Sequence, residues 1–199
     1  DSEKIFRANN HAFIWEEHIS YFTANSLARL ASIVGAELAW SRQFPYRYEN
    51  SLVAVFQFSE TKRRSAESTL REHEDCALVL EEFANGLHAS RDKWRIELES
   101  HRANGENVAV FGAGHLTAKF INFYDLGSLI DCVIDDHPKK VGLLMPGSGL
   151  EIVASEELLS RGIKVCISTL SPESEVKVRG KLSGFFNAGG RFVPAFLIV

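Results

Sequence analysis

The sequence predicts an α/β chain in three parts: a helix plus β-hairpin segment over 1–60, a helical connector over 61–105 and a parallel-sheet domain over 106–199. Three observations carry this. Short apolar runs alternate with helical stretches through the last zone, and a glycine turn, Gly112-Ala-Gly114, follows the first of those runs. A long tract of helical periodicity separates them from the N-terminal zone. Strands alternating with helices imply a parallel sheet with right-handed crossovers, the Rossmann-like arrangement.

In the first zone, Thr23 can cap a helix whose apolar positions Leu27, Leu30, Ala31 and Val34 recur at helical spacing, and Gly35 is a suitable stop. Two β-like runs follow, Glu37 to Phe44 and Leu52 to Phe58, separated by Pro45, Asn50 and polar residues. A helix with one hairpin buries little core, so this zone reads as the edge of a larger sheet. The second zone, Ser65 to about Asn104, places Ala77, Leu80, Ala84, Leu87, Trp94 and Leu98 on one helical stripe with charges between them. Gly86 is a candidate break, because glycine costs about 1 kcal/mol in a helix interior. The stripe reads as a packing face and as a possible homodimer surface.

The third zone gives strands at Val108 to Phe111, Leu129 to Ile134, Glu151 to Val153, Lys164 to Ser168 and Arg191 to Phe196. Between them lie a helix through Phe123, a short helix capped by Ser155, and a helical stretch from Ser171 to Ala188. Composition bounds what the chain does. A formal charge of -4 argues against a general nucleic-acid partner, and no run approaches the roughly 18 apolar residues of a membrane span. The polar stretch Asp1 to Asn10 is no signal peptide. Cys76, Cys132 and Cys166, widely spaced among apolar neighbours, read as buried small hydrophobes of a reducing cytoplasm, not as a zinc site.

Three constellations could carry chemistry. Glycines in the Gly112-Ala-Gly114 turn let backbone amides approach a phosphate at a helix N-terminus, and Asp135 stands about twenty residues on, where an acid suits a ribose hydroxyl. The third glycine of that fingerprint is Thr117, so a turn that serves close strand–helix packing is an equal reading. Asp135-Asp136-His-Pro-Lys139-Lys-Val-Gly142, followed by Met145-Pro-Gly-Ser148, lies at a strand's C-terminal edge, where open α/β sheets bind ligands. A charged surface loop explains it as well. In Phe13-Ile-Trp-Glu-Glu17-His18-Ile-Ser-Tyr21-Phe22, an imidazole beside a carboxylate can act as a general base. Adjacent side chains of an extended strand point to opposite faces, so Glu17 and His18 share a site only where the chain turns.

The run Trp-Glu-Glu-His-Ile-Ser-Tyr-Phe, then helix and hairpin, resembles the late part of the methyltransferase domain of the nucleotide-sugar C-methyltransferase family, whose pattern is roughly Tyr-x-Glu-His-x-x-Tyr-Phe. The third zone resembles that family's C-terminal domain through Gly112-Ala-Gly114, Asp135 to Gly142, Pro146-Gly-Ser148 and Gly189-Gly-Arg-Phe192. Trp15 stands where the family usually has tyrosine. The resemblance implies deprotonation of carbon next to a ketone in a nucleoside-diphosphate deoxy-sugar, with His18 as base and Glu17 as its orienting carboxylate. Gly112, Gly114, Asp135, Asp136 and Lys139 are then substrate-binding candidates, and the substrate is a nucleotide sugar. It also implies S-adenosylmethionine as cofactor of the intact protein. This chain alone shows no glycine-rich donor loop upstream and is expected to bind none. The other class of function is a non-catalytic nucleotide or nucleotide-sugar binding module.

Overall fold

A computed structural model describes residues 1–46, 49–58 and 70–196. The chain forms two compact units, Asp1–Gly86 and Leu87–Phe196. The first holds α1 (Glu3–Arg7), a single 3-10 turn at His11–Phe13, α2 (Ala24–Ile33), β1 (Ala36–Phe44), β2 (Ser51–Phe58) and the start of α3 (Leu70–Ala103). Thr23 does cap α2. Its hydroxyl accepts the Ser26 N–H at 3.2 Å while Ser26 Oγ accepts the Thr23 N–H at 2.8 Å, a capping box with serine in the return position. Gly35, at φ 76, takes the left-handed step that ends the helix. Ala31 is the residue of the predicted stripe that α2 buries, at 2% exposure.

The hairpin β1–β2 is antiparallel and makes its own two-stranded sheet among the described residues. Leu38 faces Phe56 but Trp40 faces Val55, so Ala39 is the extra residue of a bulge. Period two decides burial: Leu52, Ala54 and Phe56 are half-buried, Val53 and Val55 exposed.

Helix α3 corrects two expectations. It runs unbroken through Gly86, whose missing side chain serves packing: a Cβ there would strike the Asn9 carboxamide. The stripe also shifts. Ala77, Leu80 and Ala84 are exposed, and the buried residue of this part is Phe83, its ring 5.1 Å from Phe6 and stacked 4.3 Å from His11. Leu98, by contrast, is fully buried in the second unit. Ser65 to Thr69 and the Cys76 side chain lie outside the described residues.

The second unit carries a five-stranded parallel sheet in the order β5-β4-β3-β6-β7. Its elements are β3 (Asn107–Phe111), α4 (His115–Phe123), β4 (Cys132–Ile134), β5 (Ile152–Val153), α5 (Glu157–Ser160), β6 (Ile163–Ser168), α6 (Pro172–Lys181), α7 (Ser183–Asn187) and β7 (Arg191–Pro194). Two strands lie on each side of β3: the chain steps outward through β4 and β5, crosses back to β6 beside β3 and ends on β7, which is the order of a Rossmann-type half. The inner residues of the sheet, Val108–Phe111, Cys132–Ile134 and Val165–Ile167, are apolar and buried, as in a parallel sheet covered on both faces. Ala109, Cys132 and Cys166 sit side by side across three strands. Burial pushes the Cys132 thiol up to about 11 and Cys166 well above its ordinary value, so both behave as inert small hydrophobes.

Several boundaries differ from expectation, β7 among them, which ends at Pro194 and not Phe196. Strand β4 starts only at Cys132, after a 3-10 turn at Gly127–Leu129. Ser155 does not cap α5; its N–H donates to Asp136 Oδ1 at 2.8 Å. The stretch after Ser171 divides at Leu182 into α6 and α7. At the N-terminal edge of the sheet, Arg191 grips both oxygens of Glu106, at 2.9 and 2.7 Å, and His101 Nδ1 lies 2.8 Å from the same carboxylate. The Arg191 hydrogen bonds hold the Glu106 carboxyl down at about 2.

Candidate functional site

The predicted site residues fall in both units, and each group is described where it lies. In the first, the chain from Trp15 to His18 is a tight turn. The His18 N–H donates to Trp15 O at 3.1 Å, with Glu16 and Glu17 at the exposed corner. The alternation of an extended strand therefore does not apply to Glu17 and His18. Tyr21 closes the turn from outside: its hydroxyl accepts the Trp15 N–H and donates to Trp15 O at 2.9 Å. The His18 ring is exposed, 6.2 Å from the Trp15 ring and 5.7 Å from the Tyr21 ring. It lines a cleft of about 230 Å³ whose wall also includes Ile5, Ser20, Tyr21, Phe22 and Leu27. The cleft is held by the buried start of the chain, where the Ser2 N–H donates to Phe22 O at 2.9 Å.

In the second unit the candidates gather at the C-terminal edge of the sheet. Strand order reverses between β3 and β6, so the ends of those two strands form the switch point where open sheets bind ligands. Gly112 leaves β3 at φ 101, and a Cβ there would lie 3.0 Å from Thr169 Oγ1 and 3.2 Å from Leu170 Cδ2. The Thr169 hydroxyl donates to Phe111 O at 2.8 Å, and the Thr117 hydroxyl, 2.7 Å from it, donates to Gly112 O. Thr117 thus occupies the third fingerprint position with a hydroxyl that braces the turn. Gly114, at φ -113, caps α4 and has open space where a side chain would stand.

The turn's own amides are spent inside the chain. The Gly112 N–H donates to Ile134 O at 2.7 Å, the Ala113 N–H to Asp135 Oδ2 at 2.9 Å and the Gly114 N–H back to Gly112 O at 2.9 Å. Asp135 is equally engaged. Oδ2 also accepts Lys140 Nζ at 2.9 Å, and Oδ1 accepts the His137 N–H at 2.9 Å. Burial opposes ionisation of Asp135, but these hydrogen bonds and the Lys140 charge outweigh it and hold its pKa below the ordinary value. Neither this turn nor Asp135, so committed, fits the adenosyl and ribose groups of S-adenosylmethionine. Asp136 accepts the Ser155 N–H and is otherwise exposed to solvent with Lys139. The sequence did not single out Lys140, which pairs with Asp135. It also missed Thr117, Thr169 and the clamp role of Tyr21. Of these, only Thr117 left a signal, as a hydroxyl in place of the third glycine.

A further bend, at Pro146-Gly147, follows the Asp135–Gly142 loop. Gly147 (φ 82) leaves no room for a side chain beside Asn122, whose Nδ2 donates to Pro146 O at 3.0 Å. Comparison with curated proteins gives no match. The sequence model of the C-methyltransferase C-terminal domain matches residues 51–196, from β2 through the whole parallel sheet, and leaves the His18 turn outside the matched span. That span covers well over half of the chain, which therefore belongs to the C-methyltransferase C-terminal domain family.

Proposed function

We propose that this chain is the C-terminal part of an S-adenosylmethionine-dependent C-methyltransferase whose substrate is a nucleoside-diphosphate keto-sugar. The observation that carries the reading is the place of His18. It stands on the wall of a cleft, in a tight turn directly after Glu17, in a chain whose remainder belongs to a C-methyltransferase family. In this reading the imidazole takes the proton from the carbon beside the ketone, and the C–H electron pair moves onto the carbonyl oxygen as an enolate. Glu17 orients the imidazole and stabilises the imidazolium. S-adenosylmethionine, held by a part of the enzyme outside the residues described here, supplies the methyl group that the enolate consumes. In the second unit, Gly112 and Asp135 shape the sheet edge, while Gly114, Asp136 and Lys139 face the nucleoside diphosphate.

The test is proton exchange. In D2O the intact enzyme should wash deuterium into the carbon beside the ketone of a nucleoside-diphosphate 4-keto-6-deoxyhexose, read by mass. His18→Gln should slow this by about 10²–10⁴, the usual loss for a missing general base, and leave the thermal melt unchanged. Glu17→Gln should slow it less. Normal exchange in a stable His18→Gln protein would remove His18 from the mechanism. Binding of the sugar with no exchange in the wild type would favour the non-catalytic binding module.

A further inference from the structure

We propose that Tyr21 is the positioning residue for His18, which rests on the reading of His18 as the base. The His18 turn is four residues closed by a single backbone bond, from the His18 N–H to Trp15 O. One such bond fixes little. What locks the turn is a side chain six residues after its start. The Tyr21 hydroxyl takes the Trp15 N–H as acceptor and gives its own proton to Trp15 O at 2.9 Å. Trp15 O then uses both lone pairs, one on the His18 N–H and one on the Tyr21 hydroxyl, so both ends of the turn meet at one atom.

Tyr21 is itself held from behind. Its ring lies 6.4 Å from Phe6, which is buried and 5.1 Å from the buried Phe83. The line Phe83–Phe6–Tyr21 therefore carries the rigidity of the first unit's interior out to an exposed imidazole. The same ring stands 5.7 Å from His18, where its face can attract the imidazolium that forms when the base accepts a proton. With its hydroxyl committed at both donor and acceptor positions to Trp15, Tyr21 acts through the turn and not on substrate.

The experiment uses the intact enzyme and the same exchange assay, with Tyr21→Phe, His18→Gln and the double variant. Phenylalanine keeps the ring against Phe6 and removes only the two hydroxyl bonds. Tyr21→Phe should lower kcat for exchange about 10–100-fold, the scale of a misplaced reacting group, while KM stays within about twofold. The double variant should be no slower than His18→Gln alone, because a positioning residue has nothing left to position. Amide exchange at Trp15 should accelerate in Tyr21→Phe with the rest of the first unit unchanged. If Tyr21→Phe exchanges at the wild-type rate while His18→Gln does not, the positioning role is overturned and the base survives. A double variant slower than His18→Gln by the full Tyr21→Phe factor would overturn it too, since Tyr21 would then act on its own. If His18→Gln exchanges normally, the base reading fails before Tyr21 is in question. A Tyr21→Phe protein that does not fold is replaced by Phe6→Leu, which loosens the ring but keeps the hydroxyl; unchanged kcat there would refute the line of support from Phe83.

Discussion

The two glycines of the Gly112-Ala-Gly114 turn should respond to alanine in opposite ways. Gly112 sits at φ 101, where a residue with a Cβ is strained by about 1–3 kcal/mol. The added methyl would also meet Thr169 Oγ1 at 3.0 Å and Leu170 Cδ2 at 3.2 Å. Thr169 cannot give way freely, because its hydroxyl donates to Phe111 O; losing that bond costs about 1 kcal/mol. Against this, alanine removes unfolded-state freedom worth about 0.4–1 kcal/mol. The net loss for Gly112→Ala is about 1–3.5 kcal/mol. Gly114 has φ -113 and nothing within 4 Å of a Cβ, so Gly114→Ala should stay within about 0.5 kcal/mol of the wild type. The assay is an equilibrium urea melt followed by Trp94, whose ring packs edge-on against Phe120 at 5.0 Å inside the second unit, with Trp15 and Trp40 replaced by phenylalanine. A neutral Gly112→Ala, or an equal loss at Gly114, would refute the division of labour. If Gly114 is where a nucleoside diphosphate approaches the backbone, its alanine variant should weaken calorimetric binding while leaving the melt alone.

Along α3, Leu98→Ala should cost about 2–5 kcal/mol, as for a fully buried leucine, whereas Leu80→Ala, at 42% exposure, should cost under about 1 kcal/mol. Equal losses in urea melts would contradict the burial pattern, and a Leu80 loss that grows on dilution would place that residue in a subunit interface. Stability should fall on acidification in two windows. Burial lowers the His11 pKa below its ordinary 6.5, so its contribution is complete above 6.5 and is lost as pH falls through the folded value; His11→Gln should flatten that part of a melt series. Glu106, held at about 2 by Arg191 from an ordinary 4.5, contributes above 4.5 and loses its share between 4.5 and 2, a slope that Glu106→Gln should remove.

What the sequence made legible was local. Thr23 and Gly35 announce the ends of α2, Ser171 the start of α6, and the runs Val108–Phe111 and Lys164–Ser168 the two central strands. Each of these signals acts through a residue's own backbone or its neighbours, so a window of a few residues contains the cause. The misses share the opposite property. Gly86 reads as a helix breaker because propensity counts only the helix, whereas its reason is Asn9, on another segment of the chain. The buried stripe of α3 follows Phe83 instead of Ala84 because Phe6 and His11 decide which face has a partner. The Lys140–Asp135 pair, which the sequence did not single out, has the same kind of cause: the chain turns at His137 and brings Lys140 back.

The candidate site divides along the same line. That a histidine follows a glutamate is visible in the sequence, and so is the objection that neighbours on a strand diverge. The objection fails for a reason that local propensity does not contain, because Trp15 to His18 is no strong turn sequence: it has neither glycine nor proline, nor asparagine or aspartate to bond its own backbone. The turn is closed instead by Tyr21, whose hydroxyl does for Trp15 what a local side chain does in an ordinary turn. Replacing Tyr21 by phenylalanine removes that hydroxyl and changes the side-chain volume very little. The turn's link to Tyr21 therefore runs through one oxygen atom, and if His18 is the proposed base, its placement depends on that tyrosine three residues on.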